Sequence, residues 1–296
     1  MKVNFERFRA TDGIELQGWH SGPVDQAGTD LAALHVHGFA GDGHTNTFLD
    51  SLHQAYPDAE SSFFSFDIRG SGVIGWSNKN GEPVTIGSCY EVFPDGIHDI
   101  QGAARVVEAR GARRLIVEGH SLGASKVIDY CLNRDEDDAL PIVGVVLISP
   151  TDMVRWTESD PKHIKHLEKA RGLLESGNPT ALVGAQCWVY ETPMSAAAFV
   201  SLSQQGGAID VYGSRRSLTS RLSQLAVRTL IVCGSEDEAV KLTHGTINKW
   251  EENMHGIMPA GSELRIIDGA THSFEGHEQE LAGIVGEFAA RVAQDC

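Results

Sequence analysis

The sequence has no pair of cysteines at CxxC spacing. Its five cysteines, Cys89, Cys131, Cys187, Cys233 and Cys296, are odd in number and widely scattered. This argues against a zinc ribbon or a thioredoxin-like pair and favours a reducing, cytoplasmic setting. Positive charge is also scarce: 24 Lys and Arg stand against 40 Asp and Glu, a net charge of −16. Such a surface repels phosphate backbones, so no nucleic-acid partner is expected. The longest apolar stretch, Ile142 to Ile148, is far too short to cross a bilayer, and no membrane partner is expected. The N-terminus from Met1 to Phe8 alternates apolar and charged residues and leads into no apolar signal core, so no secretory leader is expected. No G-x-G-x-x-G follows the early strands and no GxxxxGK[ST] occurs, so no nucleotide cofactor is implied. His163 and His166 share a helix face, but no carboxylate completes a metal set with them, and both are expected to be solvated. His35 and His37 alternate on a strand and do not read as ligands either. The expectation is an enzyme with no metal and no cofactor.

What remains is an ordinary globular composition. Of 296 residues, 41% are apolar and 22% charged, enough for a full core. Val3–Arg9 and Ile14–His20 read as a hairpin around Asp12-Gly13. Short apolar runs at Leu31–His37, Ser62–Asp67, Leu115–Val117, Ile142–Ile148, Thr229–Cys233 and Leu264–Ile267 read as buried strands. Helical spacing separates several of them: Ile97, Ile100, Ala104 and Val107; then Val127, Ile128 and Cys131; and Leu281, Ile284, Val285, Phe288 and Val292 at the end. Strands alternating with helices predict a mostly parallel, doubly wound sheet covered on both faces. From Thr151 to Leu222 no strong strand pattern appears. Asp160 with Pro161, and later Ser195, read as helix starts, so this stretch is expected to be a helical cap without a sheet of its own. The domain expectation is therefore a core of residues 1–150 and 223–296 with a cap of 151–222.

The chemistry concentrates at strand ends. Gly119-His120-Ser121-Leu122-Gly123 follows an apolar strand and opens a helix. A strand-to-helix turn of this kind exposes its serine, and only small residues fit two positions to either side. Ser121 is the candidate nucleophile. A serine needs a base. Of 13 histidines, His272 lies in the loop after the last strand, on the edge of the sheet that carries Ser121. The base needs an orienting carboxylate. Asp237 follows the strand ending at Cys233, with Glu236, Glu238 and, on another strand end, Asp152 as competitors. His37-Gly38-Phe39 follows the third strand, where a backbone N–H can help hold an oxyanion. The donors expected are the N–H groups of Phe39 and Leu122. Gly38, His120, Trp76, Trp156 and Trp188 are expected at the substrate; Tyr190, Met194 and Phe199 either line the pocket or form the cap's own core.

The order Ser121, Asp237, His272 is that of the α/β-hydrolase fold. The chain resembles that superfamily over nearly its full length. Phe66-Asp67-Ile68-Arg69-Gly70-Ser71-Gly72 resembles the D-x-R-G-x-G turn of its serine esterases, with Ile74 where a serine usually stands two residues on. The HGF loop and this turn resemble feruloyl-type carboxylesterases. The ending from His272 to Glu278 resembles the DUF1749 hydrolases, a group that includes fungal enzymes opening ester bonds of siderophores. These resemblances imply the α/β-hydrolase fold, with a sheet of about eight strands, and a serine esterase acting on a small-molecule ester through an acyl-enzyme. A serine at the nucleophile position disfavours the dehalogenase, epoxide hydrolase and dienelactone hydrolase reactions of the superfamily. Thioester or C–C cleavage, acyl transfer, macrolactone opening or closing, and a non-catalytic binding role stay open. A homodimer through a cap helix or the N-terminal hairpin is permitted, with no signature that demands it.

Overall fold

The computed structural model describes residues 2–22, 30–135, 140–187, 191–213 and 220–294. Eight strands form one sheet: β1 (Asn4–Arg9), β2 (Glu15–Ser21), β3 (Leu31–Val36), β4 (Ser62–Phe66), β7 (Arg114–His120), β8 (Ile142–Ile148), β11 (Thr229–Gly234) and β12 (Glu263–Ile267). Their order is β1-β2-β4-β3-β7-β8-β11-β12. Only β2 pairs antiparallel to its neighbours; every pair from β4 to β12 is parallel. This is the α/β-hydrolase fold. The parallel pairing brings the carboxyl ends of β3, β7, β8, β11 and β12 to one edge, where ligands meet such sheets.

The strand sequences show why the sheet is buried on both faces. In β3, Ala32, Leu34 and Val36 enter one apolar cluster while Leu31 and Ala33 enter the other. The first cluster packs under α2 (Gly96–Ala109) and α3 (Leu122–Asn133) and is extended by Trp250 and Met254 of α8 (Ile247–Ile257). The second packs against α1 (Phe48–Asp58) and α9 (Glu278–Gln294), whose apolar stripe is the one expected. Helix α7 (Glu238–His244) follows β11 directly.

Between β8 and β11 the chain forms α4 (Met153–Glu158), α5 (His163–Glu175), the hairpin β9 (Leu182–Cys187) and β10 (Thr192–Ser195), and α6 (Ala196–Ser203). The hairpin corrects the expectation of a purely helical insertion. Its strands are short and half exposed, and Gly184 interrupts their alternation, so the sequence carries little strand periodicity there. Ser195 caps α6 as expected, its Oγ accepting from Ala198 N at 3.2 Å. Helix α5 starts later than expected: Asp160 Oδ1 accepts from Lys162 N at 2.8 Å, ahead of the first turn. This inserted segment shares one apolar cluster with Phe93 and Leu122, in which Met194, Phe199 and Leu202 are fully buried. His163 and His166 are half-buried against Phe199, at 6.0 and 5.9 Å between rings, so neither is simply solvated.

A second small hairpin, β5 (Gly75–Lys79) and β6 (Glu82–Ile86), stands beside the sheet. No helix among the described residues is long and apolar enough to cross a membrane.

Candidate active site

Ser121 sits at the junction of β7 and α3 with φ 55° and ψ −120°. A non-glycine residue in such a conformation costs of order 1–3 kcal/mol, which the surroundings must supply. They do so by clamping the turn: Ser121 N donates to Ile148 O at 2.9 Å and Ser121 O accepts from Ala124 N at 3.1 Å. The flanking glycines are required by space. A Cβ on Gly119 would stand 2.3 Å from Gly123 O, and one on Gly123 would stand 2.0 Å from Val36 O. Leu122 is the first residue of α3, so its N–H has no partner within the helix and is free to serve as a donor.

His272 lies in the loop after β12. Its Nδ1–H donates to Asp237 Oδ2 at 3.0 Å and Oδ1 at 3.1 Å. Its backbone N–H donates to Glu238 Oε2 at 3.2 Å. Asp237, in the turn after β11, also caps α7: Oδ1 accepts from Ala239 N at 2.9 Å and Val240 N at 3.1 Å. Burial alone would push the Asp237 carboxyl up. The His272 hydrogen bond and charge, helped by the Val240 amide, outweigh it and hold the carboxyl at about 2. A carboxylate is therefore present at neutral pH to orient the imidazole. Of the competitors, Glu238 holds the His272 backbone and the other two are engaged elsewhere. Glu236 pairs with Lys241. Asp152 caps α4 and pairs with Arg155 Nε at 3.1 Å, and burial pushes its carboxyl up to about 6.

The HGF loop passes beside the nucleophile: a Cβ on Gly38 would lie 3.0 Å from Ser121 Cβ. The loop is braced by the D-x-R-G-x-G turn. Gly43 N donates to Asp67 Oδ1 at 2.9 Å, and Gly72 N to Gly41 O at 3.2 Å. Ile68 N donates to His37 Nε2 at 3.2 Å, so the proton of this imidazole is on Nδ1, which donates to Gly38 O at 2.8 Å. Burial, with the Lys126 charge nearby, lowers His37 to about 3, so this brace stays neutral. Arg69 anchors the turn in place through Asp99, at 2.8 Å, and Asp12, at 3.0 Å.

A cavity of about 170 Å³ joins these parts. Its walls come from the HGF loop (Gly38, Phe39, Gly41), from Asn46, from the elbow (His120, Ser121), from α4 (Met153, Trp156) and from the base loop (His272, Ser273). Of the substrate residues expected from sequence, Gly38, His120 and Trp156 are brought here. Trp76 is not: the β5–β6 hairpin carries it outward, 76% exposed, to a separate groove beside Asp67. Trp188 and Tyr190 lie outside the described residues. Met194 and Phe199 are buried in the apolar cluster that also holds Phe93 and Leu122. Met153, Asn46 and Thr151 were missed. Thr151 Oγ1 donates to Ser149 O at 3.2 Å and lies 3.4 Å from Ser121 Oγ, so it can accept the resting serine hydrogen. Its place just beyond a strand's carboxyl end was the available signal; Met153 precedes Trp156 by three residues, on the same helix face.

One group of metal-binding character occurs among the described residues: ligand atoms of Asp42, His44 and Asp67 lie within 4.8 Å of one another. Their carboxylates already accept from the amides of Gly43, His44 and Thr45 and from the Gln17 side chain.

The model of the family described as "Protein of unknown function (DUF1749)" matches residues 32–286. None of the curated proteins matches the chain. Among solved structures, the chain is similar to Est1E from Butyrivibrio proteoclasticus with ferulic acid bound: 17% identity over 97% of this chain and 98% of that one, TM-score 0.65. It is similar to the Pyrococcus furiosus esterase Pf2001: 17% identity over 98% and 91%, TM-score 0.60. A third is an alpha-beta serine hydrolase homologue from Coxiella burnetii: 16% identity over 97% and 98%, TM-score 0.57.

Proposed function

Because the chain belongs to the family described as "Protein of unknown function (DUF1749)", whose description assigns no reaction, we propose a function from the site itself: a serine hydrolase that cleaves a carboxylic ester of a small or medium-sized molecule. The observation that carries this reading is the His272–Asp237 pair at 3.0 Å, opening on the same cavity as a serine held at φ 55°. The likeness to structures described as esterases agrees with it.

In this reading Ser121 Oγ attacks the ester carbonyl while His272 Nε2 takes its proton. Asp237 keeps the proton on Nδ1 and stabilises the imidazolium. The N–H groups of Phe39 and Leu122 hold the oxyanion, each worth about 2.7–4 kcal/mol to the transition state. His272 then returns the proton to the departing alcohol. Water, deprotonated by the same imidazole, adds to the acyl-enzyme, and as the acid leaves, the imidazolium returns that proton to Ser121 Oγ. Met153 and Trp156 close a cavity that suits a compact acyl group, and the net charge of −16 favours neutral or weakly cationic esters. The free buried thiols of Cys89, Cys187 and Cys233 suit a reducing, cytoplasmic setting.

A panel of esters varied in acyl chain and alcohol tests this reading against Ser121→Ala. Turnover by the wild type and none by the variant, with an unchanged circular dichroism spectrum, is expected. Equal turnover by both would refute it. Adding an alcohol acceptor and finding a new ester as the main product would assign acyl transfer instead.

A further inference from the structure

The general base is held at three points. Asp237 takes its side chain and Glu238 its backbone N–H, and both residues follow β11. The third contact comes from the nucleophile's own strand: His120, immediately before Ser121, reaches the backbone carbonyl of His272 with Nε2 at 2.9 Å. A carbonyl only accepts, so Nε2 must carry the proton. His120 is 5% exposed. Burial first, then the neighbouring His272 charge, lowers it to about 3, so it is neutral and Nδ1 is bare. Nδ1 has no hydrogen-bond partner among the described residues. The ring therefore has one polar task. It is also wedged for that task, 4.8 Å from the His272 ring and 5.2 Å from Phe48, which in turn meets Phe274 of the base loop at 6.2 Å.

We infer that His120 is a positioning residue: its Nε2–H locks the backbone of the general base to the strand that carries the nucleophile, fixing the Ser121–His272 approach. The inference rests on the triad proposed above. Without this bond, the polar contacts of His272 among the described residues run to Asp237 and Glu238 after β11, and none refers the base to the nucleophile's strand. Proton transfer requires them to come within about 2.6–3.2 Å, and a misplacement near 1 Å costs about 100-fold. His120 acts through His272, so its loss should appear chiefly in kcat, more than any change in KM from its edge of the cavity wall.

The test compares His120→Gln, which keeps an N–H donor at similar reach, with His120→Met, which keeps bulk without the donor. His120→Met is expected to lower kcat about 10–100-fold, with most of that loss recovered in His120→Gln. The second readout needs no turnover: the proton NMR signal of His272 Nδ1–H, identified by its loss in His272→Ala. It should broaden or shift in His120→Met and persist in His120→Gln. An unchanged signal and unchanged kcat in His120→Met would overturn the inference. A wild type without ester turnover, but whose His272 signal is lost in His120→Met, would leave the tie standing and refute the proposed reaction.

Discussion

Replacing Gly123 by alanine perturbs the site at its tightest point. The new Cβ would stand 2.0 Å from Val36 O and 2.7 Å from His37 O. Favourable contacts to carbon lie near ~3.5 Å, so the neighbours must give by more than ~1 Å. Both neighbours are backbone, one in β3 and one at the start of the HGF loop, and neither can swing aside as a side chain could. Overpacking of this kind costs ~1–3 kcal/mol, partly offset by the ~0.5–1 kcal/mol that alanine gains over glycine in a helix. The movement falls between Leu122 and Phe39, the two proposed oxyanion donors, so a kcat/KM loss of about 100-fold is expected. Ester turnover and thermal unfolding measured together read both effects. Gly172→Ala is the control: it is exposed in α5 with nothing within 4 Å of its Cβ, and it should raise Tm slightly with activity intact. If Gly123→Ala kept wild-type kcat/KM, the close approach of elbow and HGF loop would not be what sets the site.

Asp237→Asn should leave the fold and KM nearly intact and lower kcat by about 10⁴-fold, because the imidazolium loses its carboxylate; a loss below tenfold would move the orienting role elsewhere. Met153→Ala enlarges a cavity of about 170 Å³, so the preference should shift toward longer acyl chains by about tenfold per added methylene or less; an unchanged chain-length profile would remove α4 from the acyl pocket. The third concerns pH. His53 is buried between Ser21 and Ser65, and burial, with the charges of His35 and His20, lowers it to about 4. The unfolded chain binds this proton near ~6.5 and the folded chain does not, so stability declines as pH falls through that window, by up to ~1.4 kcal/mol per pH unit. Tm should therefore fall less steeply from pH 6.5 to 5 in His53→Gln than in the wild type; parallel slopes would show that the imidazole is not held neutral.

The fold and the core of the site were legible because strand, turn and chemistry coincide there. β7 runs straight into the GxSxG turn, and Asp237 and His272 each follow an apolar strand directly. The cap was less legible. Leu182–Cys187 pairs as a strand although Gly184 and the exposed Ala185 and Gln186 dilute its alternation. The β5–β6 hairpin turns through Asn80-Gly81, both at positive φ, a turn signal that the sequence does contain. The residues next to the turn are polar and exposed, so the apolar signal there is weak, and Trp76 lies on the outside of this hairpin, away from the cavity that holds Ser121. His277 precedes α9, and its carbonyl accepts from Leu281 N at 3.0 Å. The buried histidines were the least legible. Hydropathy does not distinguish a solvated imidazole from His35, which bonds Glu118 at 2.5 Å in the centre of the sheet, or from His120 at the base loop.

The central claim is that Ser121 is a working nucleophile activated by His272. A fluorophosphonate probe tests it without knowledge of the substrate, since attack on phosphorus displaces fluoride and leaves a stable adduct. Peptide mass spectrometry should find one adduct, on Ser121, formed rapidly in the wild type, greatly slowed in His272→Ala and absent in Ser121→Ala. No adduct in the folded wild type, or an adduct on another residue, would contradict the account.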